Sequence, residues 1–432
     1  MKSVRPLFIL AALIAGLPYM EQKTTLVRRM AAGSAFLLLL VTGVWAQSYS
    51  VLTSFNGTDG SQPAASPIID NSGNVFGTTG LGGASNYGVV YELVNNGGGS
   101  YTNTTLHSFA GGTTDGCYSY GGLLMDPSGN LYGVAAGCGA YNAGVIYELA
   151  KSGGTYMESV IHTFRGGPDG ATPVGSLVMD AKGNLYGTTD QGAGGNCYAG
   201  CGTVFQLMHR SDTWTKKVLH SFKNNGVDGW YPEAGVTLDS KDNIYGTTSR
   251  GGSYQEGAVF RLSPPTKTRK SYQETIIHTF YGGIDGCAPS SGVLFDSSSN
   301  LVGATGGCGQ YNYGTVYQLM PAGKTYRIDV ILQFNGTNGA PPCDWAGDAA
   351  IDSSGNVYGV AYGGGAYGAG TVFKLASGSF AYTDLHDFDT NGTDGYLPYG
   401  GVSLDSSGSL YGATKVGGLS TNYGTVWQIT SP

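Results

Sequence analysis

Four acidic residues that break the local sequence pattern are the first candidates for chemistry in this chain. They are Asp190, Glu233, Asp344 and Asp348. Cleavage of a glycosidic bond needs two carboxyl groups about 5 to 10 Å apart, one acting as acid and the other as base or nucleophile. The alternative is that these acids only solvate the surface of an acidic chain. Their separations depend on the fold, so catalysis is a hypothesis at this stage.

Aromatic and basic side chains in the same stretches could bind a ligand. One Tyr recurs in each of seven similar loops: Tyr87, Tyr141, Tyr198, Tyr254, Tyr311, Tyr367 and Tyr423. Because a Tyr ring has an apolar face and a hydroxyl, such a series could stack on sugars or hold an extended protein segment. Alternatively, each Tyr packs on its own loop. Side chains that depart from the repeated pattern add further candidates: Trp230, Tyr231, Trp345, Arg165, Arg250 and Lys415.

Histidines and a repeated Asp-Gly pair look catalytic until their positions are compared. Five of the six histidines stand two residues before a Phe, at His107, His162, His220, His278 and His386. The Asp of Asp-Gly recurs in the same way, at Asp59, Asp115, Asp169, Asp228, Asp285 and Asp394. A catalytic group is not needed five times, so we predict packing or hydrogen-bonding roles for both sets. No GxSxG, HExxH or phosphate-binding loop motif occurs.

These residues are positioned by a sequence unit that occurs seven times. Its marker is Gly-x-hydrophobic-aromatic, which ends at Tyr91, Tyr147, Phe205, Phe260, Tyr317, Phe373 and Trp427, at intervals of 54 to 58 residues. A unit this short cannot bury its own apolar face and must pack on its neighbours. With 74 glycines and 12 % aromatic residues, the composition favours short strands joined by tight turns.

Each unit contains four strand-like runs, which in the third are Ser176 to Asp180, Asn184 to Thr188, Gly202 to Leu207 and Lys217 to Phe222. The last unit ends one strand short, while Ser50 to Phe55 supplies the missing type of strand at the other end of the chain. We therefore predict an all-β, seven-bladed β-propeller of four-stranded antiparallel blades over residues 47–432, closed by that N-terminal strand.

The recurring Asp-x-x-Gly-Asn element, as at Asp180 to Asn184, could be a calcium loop but is predicted to be a hairpin turn capped by its Asp.

Six cysteines are expected to form disulfide bonds across or within loops of one face: Cys117 with Cys138, Cys287 with Cys308, and Cys197 with Cys201, leaving Cys343. A zinc site is the competing interpretation of the thiols. We expect no metal and no cofactor.

The first 46 residues resemble an export signal. Arg28 and Arg29 precede the apolar run Ala35 to Val44, and a cleavage site is expected after Ala46, with Met1, Met20 or Met30 as the start and either general or twin-arginine export as the route. Without residues 1–46 the chain has 17 basic and 28 acidic residues, a net charge of −11. That charge disfavours binding to nucleic acid, and no later stretch is apolar enough to span a membrane. A secreted or periplasmic monomer is expected.

The unit Asp-x-x-Gly-Asn-Leu-Tyr-Gly-Thr-Thr followed by Gly-Thr-Val-Phe, clearest at Asp180 to Phe205, resembles the GloVer repeat of bacterial "choice-of-anchor" proteins. That resemblance covers the whole chain after residue 46 and implies an exported repeat protein without assigned catalytic residues. Proteins with this repeat often carry a C-terminal surface anchor. None is recognised at Ser431 and Pro432, so soluble secretion is expected.

Three hypotheses on function follow. The first is a binding module for carbohydrate or another extracellular or cell-envelope ligand, the second a polysaccharide hydrolase or lyase, and the third a protein-interaction scaffold. Departures from the repeat on one loop face are where any of them would act.

Overall fold

The central hairpin of every blade forms from the two most regular motifs of the repeat. In the third blade, the strand Leu185–Thr189 pairs with Thr203–Arg210, and Gly187 stands opposite Phe205. A Cβ atom at Gly187 would lie 2.8 Å from the Phe205 ring, closer than real side chains approach. Glycine is therefore required beneath the aromatic ring, and the same glycine-aromatic register recurs in all seven blades.

The computed structural model describes residues 47–211, 213–340, 349–419 and 422–430. Seven antiparallel sheets of four main strands form a seven-bladed β-propeller, as predicted. We call the strands a to d from the first to the fourth in each blade. In that order, blade by blade, they are Ile68–Ile69, Val75–Leu81, Val89–Gly97 and Ser100–Ser108; Leu124–Met125, Leu131–Ala135, Val145–Ser152 and Thr155–Thr163; Val178–Met179, Leu185–Thr189, Thr203–Arg210 and Thr213–Ser221; Thr237–Leu238, Ile244–Thr248, Ala258–Ser263 and Gln273–Thr279; Leu294–Phe295, Leu301–Thr305, Thr315–Ala322 and Thr325–Gln333; Ala350–Ile351, Val357–Ala361, Thr371–Leu375 and Tyr382–Asp387; and Gly395–Leu404, Leu410–Gly417, Thr425–Ile429 and Tyr49–Ser54.

Small elements complete the loops. Ser61–Pro63 adds to blade 1, Gly116–Cys117 pairs with Gly137–Cys138, Gly229–Trp230 pairs with Arg250–Gly251, and Gly167–Asp169 is a single 3₁₀ turn. None of the described helices is long and apolar enough to cross a membrane.

The N-terminal strand closes the ring. Tyr49–Ser54 pairs antiparallel with Thr425–Ile429 as the outer strand of blade 7, which confirms the predicted closure. Phe55, which follows it, lies 5.2 Å from Tyr91 of blade 1 in an edge-to-face contact between ring centroids. The first and last repeats are thus joined by backbone pairing and by aromatic packing.

Strand a is shorter than the sequence suggests. The run Ser176 to Asp180 was expected to be a strand, but only Val178–Met179 pairs with its neighbour. The preceding residues bond to neighbouring blades instead: the amide of Gly122 donates to the Ser176 hydroxyl at 3.0 Å, and the Thr188 hydroxyl donates to the Ala234 carbonyl at 2.7 Å. Their hydrogen-bonding capacity therefore joins blades rather than extending one sheet.

The Asp-x-x-Gly-Asn element is a capped turn, as predicted. One carboxylate oxygen of Asp180 accepts from the amides of Lys182 and Asn184, both at 2.9 Å, and the other accepts from the Asn184 side chain at 2.7 Å. The same arrangement holds Asp70, Asp126 and Asp352.

Aromatic contacts between blades are expected to dominate stability. Phe260 is fully buried, and its ring meets that of Phe222 from the preceding blade at 5.2 Å. Phe260→Ala should lower the free energy of unfolding by about 3 to 5 kcal/mol, measured from the midpoint of urea unfolding. Met157→Ala, at an outer-strand side chain that is 71 % exposed, is the control and should change it by less than about 0.5 kcal/mol. Equal losses in both variants would contradict this role.

Candidate functional site

Two kinds of loop share one face of the propeller, which we call the loop face: the connections from strand b to strand c and the crossovers from strand d to the next strand a. Disulfide bonds confirm this sharing. Cys117 of a crossover is bonded to Cys138 of a b-to-c loop, and Cys287 to Cys308 in the same way. Cys197 and Cys201 form the third predicted bond within one b-to-c loop. Such bonds are consistent with an oxidising compartment.

Six of the crossovers, all outside the undescribed residues 341–348, reach the channel through a residue with left-handed backbone geometry. The residues are Gln62, Tyr118, Thr172, Tyr231, Ala288 and Leu397, with φ between 50° and 63°. The amide of Tyr231 donates to the Cys201 carbonyl of the preceding blade at 3.1 Å, while its own carbonyl accepts from Ser249 at 2.9 Å. Positive φ is costly for residues other than glycine. Hydrogen bonds to two blades hold these residues in place.

A depression at this end of the channel is formed by the segments just before strand a. It is small, with a volume of about 50 Å³, and residues of six blades line it. Small residues dominate, including Ala65, Gly121, Gly175 and Gly235. They have to be small because the inner segments touch: a Cβ atom at Gly235 would lie 2.6 Å from the Ser176 carbonyl oxygen.

Larger side chains depart from this pattern at one position of the depression. Tyr120, Glu233 and Tyr399 occupy, in their blades, the place that Ala64, Val174 and Ser290 hold in others. The Tyr399 ring meets Tyr362 edge to face at 5.9 Å, and Nζ of Lys415 lies 5.0 Å from its centroid. Tyr120 stacks with Tyr118 at 6.4 Å. Aromatic rings and charged groups are thus combined at the channel mouth.

Two of the candidate acids, Asp190 and Glu233, influence the pKa of the same tyrosine, Tyr231. Burial, and then the negative charges of Asp190 and Glu233, raise the pKa of Tyr231. Burial raises the pKa of Asp190 itself to about 6, against a hydrogen bond with Gln191 that lowers it. Oδ1 of Asp190 is buried without a hydrogen-bond partner. Asp190 therefore has the character of an acid that holds its proton in weakly acidic solution, up to about pH 6.

The tyrosines of the b-to-c loops are mostly exposed. Six of the seven expose between 36 and 93 % of their surface, and only Tyr87 is half-buried, against Tyr118 at 5.7 Å. Among the described residues that line the depression, none belongs to this series. Six of these rings therefore keep part of their surface open to solvent.

The other candidates are dispersed. Arg165 and Arg250 are exposed, while Trp230 is half-buried against the core around Phe222 and meets Tyr231 at 4.5 Å. Asp344, Trp345, Asp348 and Cys343 lie outside the described residues. Sequence reasoning missed Tyr120, Tyr362 and Tyr399. Tyr120 and Tyr399 each stand six residues before the Asp of a turn, Asp126 and Asp405 respectively. An alignment of the crossovers on that Asp would have singled out both tyrosines.

The fold and its loops define a tandem-repeat β-propeller with a loop face of irregular side chains. A family model described as the Gloeobacter/Verrucomicrobia repeat matches residues 30–240 and 238–432, and the chain belongs to that family. No curated protein shows significant similarity to it.

Solved structures share the fold at low identity. The extracellular domain of a one-component system of B. thetaiotaomicron is similar at 10 % identity with a TM-score of 0.52, over 89 % of this chain and 40 % of that one. A puromycin-hydrolysing peptidase of Mycobacterium tuberculosis is similar at 10 % identity and a TM-score of 0.52, over 89 % and 54 %. The chain thus spans about half or less of these proteins.

The raised pKa of Asp190 predicts a pH-dependent cost. A carboxyl group whose pKa is higher in the folded state than in the unfolded state lowers the stability of the protein as the pH rises. For Asp190 this happens between its ordinary pKa and about pH 6. Asp190→Asn is neutral throughout, so its stability relative to the wild type should increase by about 2 kcal/mol between pH 4 and pH 8. Urea unfolding at both pH values measures this, with the exposed Asp329→Asn as the control for a lost charge. A pH-independent difference would refute it.

Proposed function

We propose that this protein is an extracellular carbohydrate-binding module that uses its loop face. The observation that carries the proposal is the distribution of exposed large apolar side chains. Of the twelve among the described residues, eleven lie on b-to-c loops or crossovers, and only Met157 lies elsewhere. Such clustering marks an interaction surface rather than the ordinary scatter of exposed apolar residues.

The chemistry of this surface supports a sugar as the ligand. Eight of the eleven are tyrosines, and the other three are Val227, Ile284 and Leu419. A Tyr ring can cover the apolar face of a pyranose while its hydroxyl bonds to the sugar hydroxyls. The positions recur from blade to blade, so a polysaccharide could contact several of them at once and gain avidity. Acidic and basic groups at the channel mouth add polar contacts.

The test is a glycan array followed by calorimetry with residues 47–432. Tyr254 and Tyr281 are both exposed, and their rings meet at 6.3 Å. The double variant Tyr254→Ala/Tyr281→Ala should weaken binding at least tenfold, which is about 1.4 kcal/mol or more.

Met157→Ala is the matched control, because it removes an exposed apolar side chain from a different part of the surface. Its affinity should equal that of the wild type, and all variants should keep the wild-type unfolding midpoint. Absence of glycan binding, or binding that the double variant leaves intact, would count against the proposal. Retention of a protein ligand alone would favour a protein-interaction scaffold.

A polysaccharide hydrolase or lyase is the second candidate, favoured by the pair of acids that act on Tyr231. Asp190, with its pKa of about 6, would be the proton donor, and Glu233 the base or nucleophile. Two carboxyl groups with different roles are what glycosidic cleavage requires.

A degradation screen with reducing-sugar detection tests this candidate. Activity on any polysaccharide should fall by at least a hundredfold in Asp190→Asn and in Glu233→Gln, while Asp329→Asn retains it. Binding without turnover, or turnover that survives both changes, would exclude these acids as the catalytic pair.

A further inference from the structure

A cluster of three side chains recurs at the outer edge of the grooves between blades. In five grooves, a strand-d His lies within 2.9 to 3.3 Å of the Asp of the following Asp-Gly, measured from Nε2 to Oδ2. That Asp also accepts from a backbone amide of its crossover, as Asp228 does from Lys223 at 3.1 Å. The His-Asp pair is therefore a structural feature of the repeat. What differs from groove to groove is the third side chain, which comes from strand d of the next blade.

In two of these five grooves the third side chain donates to the Asp. Lys216 donates to Asp169 at 2.9 Å, and the Tyr49 hydroxyl donates to Asp394 at 2.5 Å. In the groove of Asp59, which has no strand-d His, the Asn103 amide donates to the Asp at 3.3 Å. In these grooves a side chain of the protein itself supplies the hydrogen bond that the partly buried carboxylate needs. The Lys216 groove does so with a full positive charge.

In two grooves the third side chain is a second carboxylate. Glu274 faces His220 and Asp228, and Glu158 faces His107 and Asp115. Asp228 is 95 % buried, since only 5 % of its surface is exposed, and its Oδ1 accepts no hydrogen bond. Oε1 of Glu274 is buried as well and makes no hydrogen bond, although it lies 3.3 Å from Nε2 of His220. Two carboxylates thus meet where an equivalent groove holds an ammonium group.

The distances suit a metal ion between these atoms. Nε2 of His220 lies 3.3 Å from Oδ2 of Asp228 and 3.3 Å from Oε1 of Glu274, and one ligand atom of each residue lies within 4.8 Å of the others. Zinc bonds of about 2.0 to 2.2 Å in tetrahedral geometry place ligand atoms about 3.3 to 3.6 Å apart. Two of the three separations, those from His220 Nε2, therefore match the edges of a zinc tetrahedron, and the third is within 4.8 Å.

We propose that the groove between blades 3 and 4 binds a zinc ion through Nε2 of His220 and the carboxylates of Asp228 and Glu274, with the groove of His107, Asp115 and Glu158 as a second copy. One imidazole with two carboxylates is a donor set that suits zinc better than calcium or magnesium, which prefer oxygen alone. The ion would join neighbouring blades, as Lys216 does in its groove. It would be a structural site, separate from the loop face.

A bound proton is the competing way to relieve the two carboxylates. Burial, and then the negative charge of Asp228, raise the pKa of Glu274. Zinc and a shared proton exclude each other, because a carboxylate must be deprotonated to coordinate.

The experiment uses tag-free residues 47–432, stripped with a chelator and titrated with zinc chloride by calorimetry. Two ions per chain are expected, with an increase in the melting temperature. Glu274→Lys copies the Lys216 groove, so it should lose one ion while keeping the metal-free melting temperature.

Lys216→Glu supplies the converse test. It places a carboxylate beside His162 and Asp169, and it should add one zinc ion per chain. Zinc binding whose stoichiometry is the same in the wild type and in both variants would place the ion elsewhere and overturn the proposal. Absence of zinc binding at 100 micromolar, or preference for calcium over zinc, would also overturn it, and the shared proton would then be the correct account.

Discussion

The contact between one aromatic ring of strand c and the Phe that ends strand d of the preceding blade determines the rest of this structure. It joins every pair of neighbouring blades at centroid distances of 5.1 to 5.8 Å: Phe55 with Tyr91, Phe109 with Tyr147, Phe164 with Phe205, Phe222 with Phe260, Phe280 with Tyr317, Phe334 with Phe373, and Phe388 with Trp427. The strand-c ring lies against a glycine of strand b, which leaves it room to meet the Phe of the preceding blade. Since the unit has no core of its own, this contact supplies what a single blade lacks.

The same contact separates residues that are fixed from residues that can vary. The amide of each Phe also donates to the carbonyl of the glycine immediately before strand c of its own blade, at 3.0 to 3.2 Å. Backbone bonding and ring packing therefore fix the ends of strands c and d. The b-to-c loops and crossovers begin immediately beyond them. Their exposed tyrosines and the irregular groups of the depression can therefore differ between blades without disturbing the ring.

The fold followed from sequence because its determinants repeat. Seven copies of the aromatic position, the missing strand at one end and the matched cysteine spacing each needed only local patterns and the rules of antiparallel pairing. The inner strand was overestimated because residues such as Ser176 look β-forming but bond to another blade. Trp230 was a candidate ligand contact, and the structure places its ring half-buried near Phe222. Both features depend on contacts between blades, which no single repeat encodes.

The channel mouth was only partly predictable for a related reason. Asp190 and Glu233 were identified as departures from the repeat, but their common influence on Tyr231 depends on how neighbouring blades meet. That geometry is set by the left-handed residues of the crossovers, each bonded to the preceding blade and to its own strand b. Their backbone strain is balanced by the bonds on both sides, so the segment leading to strand a has one conformation. Side chains of the depression are therefore held before any ligand arrives, and a ligand that fits them would spend little of its binding energy on ordering the site.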